Sequence, residues 1–173
     1  FCVLRSRSDQ TLFSSGLVRN SSRRENMKPA WHERLKKSIA KNKRDANNRY
    51  FQLATVAGDG TPRVRMVVFR GFSDDGLSLS IITDTRSQKI SELASCSSVE
   101  IGWYFTHTRE QYRFRCDSKI YTAADDSQDA LDKRERVWSA LSEAAKEQFF
   151  WITPGVPEGT GETLSFTNTP PDT

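Results

Sequence analysis

A mainly β domain with flanking helices, its strands closing into a small barrel, is what this sequence of 173 residues predicts. Three observations carry that expectation. The middle of the chain alternates apolar and polar residues with a period of two, the signature of half-buried strands. Gly- and Asp-rich turns separate the alternating runs at hairpin spacing. Helical periodicity is confined to short segments before, within and after them.

Trp31, Leu35 and Ile39 follow Pro29 at four-residue spacing, which predicts a short amphipathic helix with a basic outer face. Tyr50 to Ala57 reads as a strand, Gly58-Asp59-Gly60-Thr61 as its turn, and Arg63 to Phe72 as the returning strand. Ser73-Asp74-Asp75-Gly76 turns the chain again into Leu77 to Ile82, where apolar residues alternate with serines. Thr85-Arg86-Ser87-Gln88 has the form of a capping box, and Ile90, Leu93 and Ala94 supply the buried stripe of the helix behind it. Val99, Ile101, Trp103 and Phe105 mark a fourth strand. Glu110 to Thr122 marks a long fifth, with Gln111, Arg113 and Arg115 on one face and Tyr112, Phe114 and Cys116 on the other. Asp129 to Phe150 reads as a last helical region ending in the aromatics Phe149, Phe150 and Trp151. Successive antiparallel strands with few helices imply closure, which removes exposed edges.

Composition narrows the function. No stretch approaches the ~18 apolar residues of a membrane span, and mean hydropathy is −0.65, so no membrane partner is expected. The net charge of +4 is concentrated in residues 1–26, where five arginines face Asp9 and Glu25. The remaining 147 residues hold 21 basic and 20 acidic side chains, too balanced for the broad basic surface that nucleic-acid binding needs. Three cysteines form no even disulfide framework, and with only His32 and His107 no metal site is expected.

Residues 1–27 are expected to be a disordered leader or a transit peptide, being rich in Arg and Ser, poor in acids and lacking a continuous apolar core. The alternative is leader sequence ahead of a start at Met27. The compartment expected is intracellular: cytoplasmic, or plastid or mitochondrial if the leader is a transit peptide. Residues 28–153 form the expected domain, and 154–173, rich in Pro, Gly and Thr, a loop or linker.

Arg65-Met66-Val67-Val68-Phe69-Arg70 and Thr83-Asp84-Thr85-Arg86-Ser87-Gln88-Lys89 carry the chemistry. Arg65 and Arg70 open and close one strand and point to opposite faces, so they serve different groups. The second segment joins hydroxyls and a lysine to the first turn of a helix, where free N–H groups favour an anion. From these residues alone the protein is a small β-barrel with an anion site.

Together with Arg49 to Val56, Trp103-Tyr104-Phe105, Glu110 to Arg113, Trp138 and Gln148 to Trp151, these blocks resemble the pyridoxamine 5′-phosphate oxidase-like family in its cyanobacterial and plant branch. The likeness runs from about Pro29 to Gly155. It implies the FMN-binding split barrel, a homodimer, and FMN at the dimer interface. It implies that Arg65, Met66, Val67 and Val68 pass along the cofactor, that Arg65, Thr83, Ser87, Gln88 and Lys89 hold its phosphate, and that Gln111 contacts its ring. It places Arg70 near the phosphate of a small-molecule substrate such as pyridoxamine 5′-phosphate. The family's C-terminal strands fall beyond Thr173, and Gln88 stands where the well-studied oxidases usually carry arginine.

The expected activity is an FMN-dependent oxidoreductase of vitamin B6 metabolism, passing hydride from substrate to FMN and on to O₂. Its alternatives are an FMN-binding module without B6 oxidase activity and an NAD(P)H-linked flavin reductase. The sequence identifies no catalytic base; His107, in the loop before Glu110, is the residue to examine.

Overall fold

The computed structural model describes residues 1–7, 28–150 and Pro154. Among the described residues, seven antiparallel strands form one curled sheet flanked by four helices. In chain order the elements are β1 (Cys2–Ser6), α1 (Ala30–Lys41), β2 (Tyr50–Val56), β3 (Pro62–Val68), β4 (Gly71–Phe72) and β5 (Ser78–Ile81). There follow α2 (Gln88–Ser95), β6 (Ser98–Phe105), β7 (Glu110–Ile120), α3 (Gln128–Ser139) and α4 (Glu143–Glu147), with a 3₁₀ turn at Gln148–Phe150.

Across the sheet the order is β3-β2-β6-β7-β1-β5-β4. The two edge strands are consecutive in the chain. Between them Phe69 N–H donates to Arg49 O and Arg70 N–H to Ser80 O, so the backbone steps directly from one end of the sheet to the other. Such a step requires the sheet to curl until its ends approach, as barrel geometry does. Gly71, at φ +137°, makes the corner, a conformation that β-carbon sterics deny other residues. The single strand expected over Arg63 to Phe72 is therefore two, broken at this corner.

Alternation sorts the residues as the sequence predicts. Phe51 and Leu53 from β2, Val67 from β3, Ile101, Trp103 and Phe105 from β6, and Phe114 and Cys116 from β7 turn inward. Trp103 is wholly buried among the rings of Phe51, Phe69 and Phe105, with centroids 5.1–5.2 Å away, and its indole N–H donates to Asn48 O. Leu35 of α1 joins this core, with Trp31 and Ile39 packed at its margin.

Two buried polar residues of α1 have partners. The ring of His32 donates from Nδ1 to Gly76 O at 3.0 Å, and a β-carbon on Gly76 would meet that ring at 3.0 Å. Ser38 lies 2.7 Å from the Tyr112 hydroxyl. Asn42 ends the helix by donating to Ser38 O and accepting from the backbone of His107 and Thr108. His107 itself is exposed, and it meets Asn42 through its backbone N–H.

Three expectations are corrected. Cys2–Ser6, expected within a disordered leader, forms a strand between β7 and β5, with Cys2, Leu4 and Ser6 buried. Residues 8–27 lie outside the described residues, as do 155–173 with their expected linker. The helix after β5 begins at Gln88 with Ser87 at its N-cap, so Thr85 does not cap it. The last helical region is broken: Ser127 caps α3 and Ser142 caps α4, each accepting a bond from the backbone N–H three residues on.

Burial pushes the thiols of Cys2 and Cys116 up to about 12, so neither is ionised near neutrality. Cys96, at the end of α2, is only half-buried. Iodoacetamide at about pH 8 should therefore modify native protein at Cys96 first. Peptide mapping that finds Cys2 or Cys116 labelled as fast would contradict their burial.

Candidate functional site

The loop between β5 and α2 is shaped by Asp84. Its carboxylate accepts from the backbone and the guanidinium of Arg86, and its carbonyl accepts from Ser87 N–H. Burial works against the charge of Asp84, but the Arg86 bonds outweigh it and hold the carboxyl below its ordinary pKa. This turn uses up Thr85 and Arg86 and delays the helix to Gln88, which is why the capping box fails.

What the turn delivers is Lys89 at the start of α2. Its ammonium donates to Thr83 Oγ1 at 2.8 Å and to Ser87 Oγ at 2.6 Å. Desolvation first, and the neighbouring charge of Arg65 second, lower its pKa from the ordinary value, while Asp84 and Glu92 act the other way. Arg65 bonds to Glu92, one helical turn after Lys89 on α2, so the two cations meet the same side of that helix.

Arg65 projects from β3 on the same face as Val67, toward α2. Its guanidinium donates to Thr55 Oγ1 and, at 2.6 Å, to Glu92 Oε2, and the Thr55 hydroxyl donates to the same carboxylate oxygen at 2.6 Å. Arg65 keeps 24% of its side-chain exposure while Glu92 keeps 7%. Burial alone would raise the Glu92 pKa; the bonds from Thr55 and Arg65, with the charge of Arg65, bring it below its ordinary value. Two of the five guanidinium N–H donors are committed here, and three are left for another acceptor.

Thr83, Ser87, Lys89 and Arg65 therefore come together, with Gln88 exposed on the first turn of α2. The donor set is an ammonium, two hydroxyls, part of a guanidinium and the helix's first N–H groups, which fits a phosphate. Two residues of this site escaped the sequence reading. Thr55 and Glu92 look like an ordinary strand threonine and a surface helix glutamate; the one hint was that Glu92 directly precedes the core residue Leu93.

Met66 and Val68 lie on the opposite, outer face of β3. Paired residues carry that face across the sheet: Met66 with Gln52, Gln52 with Gly102, Gly102 with Arg113, and Tyr104 with Gln111. Gln111 thus shares the outer face with Met66 and Val68, three strands away. The face is unusually apolar for an exposed surface: Val64 is 69%, Met66 54% and Tyr104 52% exposed. Arg70 lies apart from Arg65, beside Arg49 and Tyr50; burial and the charge of Arg49 lower its pKa.

Residues 28–122 match the family model described as pyridoxamine 5′-phosphate oxidase, FMN-binding domain. The chain belongs to that family. Among members of the pyridoxamine 5′-phosphate oxidase family, it is 38% identical over 127 residues to pyridoxine/pyridoxamine 5′-phosphate oxidase 2 of Arabidopsis thaliana, covering 73% of this chain and 64% of that protein. It is 33% identical over 112 residues to the pyridoxine/pyridoxamine 5′-phosphate oxidase of Sinorhizobium fredii, covering 62% and 53%. The chain thus spans less than two thirds of the length of these curated relatives. A solved structure from Nostoc punctiforme, a pyridoxamine 5′-phosphate oxidase-related, FMN-binding protein, superposes with a TM-score of 0.74 at 40% identity, covering 83% of this chain and 73% of that one. The fold is accordingly the split barrel of the pyridoxamine 5′-phosphate oxidase family, in agreement with the sequence. Among the described residues no helix is long and apolar enough to cross a membrane.

Proposed function

We propose that the protein is an FMN-dependent oxidoreductase of the pyridoxamine 5′-phosphate oxidase type. The observation that carries this reading is the pairing of Lys89, bonded to Thr83 and Ser87, with Arg65 in a family domain described as FMN-binding. Two cations that repel each other gain from a shared dianion, and the half-buried hydroxyls of Thr83 and Ser87 can donate to its oxygens. In this reading Arg65, Thr83, Ser87, Gln88 and Lys89 hold the FMN phosphate, and Met66, Val67 and Val68 run beside the cofactor. FMN supplies the redox chemistry, taking hydride from a small-molecule substrate and returning the electrons to O₂.

Gln111 reaches the same ring only if a second copy contributes it, because within one chain it lies on the outer face of β7, three strands from Met66 and Val68. The bare apolar outer face around Met66 and Tyr104 supports a homodimer that covers it. Arg70, desolvated beside Arg49, is the cation for the substrate's phosphate.

The test begins with colour. Purified protein should carry, or take up, FMN and show a flavin spectrum, and Lys89→Ala should weaken FMN binding. Charge-assisted bonds are worth roughly 1.5–3 kcal/mol, so the expected loss is about 10- to 150-fold. Equal FMN affinity in wild type and a folded Lys89→Ala variant would remove the phosphate from this loop. Oxidation of pyridoxamine 5′-phosphate above a free-FMN control then separates oxidase from module.

A second reading is an FMN-binding module without B6 turnover, which would bind FMN yet leave pyridoxamine 5′-phosphate unoxidised. Anaerobic bleaching of bound flavin by NAD(P)H, but not by pyridoxamine 5′-phosphate, would instead favour a flavin reductase.

A further inference from the structure

We propose that Glu92 is a positioning residue that holds the Arg65 guanidinium in place for an incoming phosphate and, by its negative charge, limits how tightly the site retains one. The proposal rests on the reading of the Lys89 loop as the phosphate site and adds a determinant of its affinity.

The geometry separates the two effects. Glu92 Oε2 lies 2.6 Å from both Arg65 Nη2 and Thr55 Oγ1, and Thr55 also accepts from Arg65. Three side chains from β2, β3 and α2 thus close one hydrogen-bonded set. A long side chain on an edge strand ordinarily samples many rotamers, and ordering it on ligand binding costs affinity. Here the cost is met during folding, because Arg65 is already tied at two nitrogens. Glu92, to which Arg65 is tied, lies one helical turn after Lys89 on α2, and the charge of Arg65 is felt at Lys89.

The same carboxylate subtracts charge. Lys89 and Arg65 are the cations of the site; Asp84, bonded to Arg86, and Glu92 both offset Lys89, and Glu92, 7% exposed, also offsets Arg65 by bonding to it directly. A buried charge within several ångströms acts through low dielectric and is weakly screened, so its removal should be felt by a bound dianion. If structure alone were required at this position, glutamine or another neutral acceptor would serve the Arg65 bond without burying a charge.

Glu92→Gln and Glu92→Ala divide the roles. Glutamine keeps a carbonyl acceptor for Arg65 but removes the charge, whereas alanine removes both. In low salt, Glu92→Gln should bind FMN about three- to tenfold more tightly than wild type. Its affinity for riboflavin, which lacks the phosphate, should not change. The gain should fade as salt approaches about 0.5 M, and Glu92→Ala should bind FMN more weakly than Glu92→Gln.

A merely structural Glu92 would shift FMN and riboflavin together. An affinity of Glu92→Gln for FMN equal to or below wild type overturns the proposal, while a loss of binding in Lys89→Ala beside it leaves the phosphate site standing. If Lys89→Ala and wild type bind FMN alike, the site and this proposal fall together. Should wild type take up no FMN, thermal stabilisation by inorganic phosphate decides: larger in Glu92→Gln supports the proposal, equal or smaller refutes it.

Discussion

Arg65→Ala is expected to destabilise the fold by about 3 kcal/mol, the lower end of the range for stripping a partner from a buried ion pair. The low end applies because Arg65 retains 24% exposure, although Glu92 is left buried with a charge and only Thr55 to satisfy it. The pH dependence gives this effect a sign. In the wild type Glu92 titrates below its ordinary value, so it contributes stability above that range and loses it as pH falls through the folded pKa. Without Arg65, burial dominates and raises the pKa of Glu92, so acidification relieves the variant. The stability gap should therefore be largest near pH 7 and narrow toward about pH 4. Urea unfolding of both proteins across that range checks it, and a gap that widens on acidification would contradict the pairing. For the same reason Lys89→Ala is the cleaner probe of the phosphate site, since its removal leaves no buried carboxylate behind.

The second large effect is expected at Leu4. Leu4 is wholly buried between Leu79 of β5 and Ser118 of β7, so Leu4→Ala should cost about 2–5 kcal/mol through lost transfer energy and a cavity. Were Cys2–Ser6 a solvated leader, the substitution would be silent. Denaturant unfolding distinguishes the two, and an unchanged midpoint would take β1 out of the sheet.

What was legible in the sequence follows from which interactions are local. The strands β2, β6 and β7 each carry their own apolar alternation, and their turns carry the Gly and Asp that turns require. Strand parity also sorted Gln111, Arg113 and Arg115 from Phe114 and Cys116. Lys89 among hydroxyls was readable because Thr83 and Ser87 lie within six residues of it.

The failures share a cause too. β1 was hidden because its alternation, Cys2, Leu4 and Ser6 against Val3 and Arg5, is short and embedded in an Arg- and Ser-rich stretch. Its partners come from far along the chain. The capping box failed because the Asp84 side chain offered Arg86 N–H a competing bond, which local spacing does not reveal. Glu92 was missed because its partners, Thr55 and Arg65, sit on other elements 37 and 27 positions away.

The place of β1 also imposes an order of events on folding. Arg7, just past its end, bonds to Asp117, 110 positions along the chain, and Cys2 pairs with Ile120. Neither flanking strand pairs with the other, so the groove that receives β1 exists only once β5 and β7 have been brought alongside. The hairpins β2-β3 and β6-β7 close short loops and meet at low entropic cost, whereas β1 must close the longest loop in the domain. Its insertion therefore comes late, and until then β5 and β7 each present an open edge. A newly made chain crosses that interval with two sticky borders exposed, and the last of the described strands to arrive is the one made before the other six.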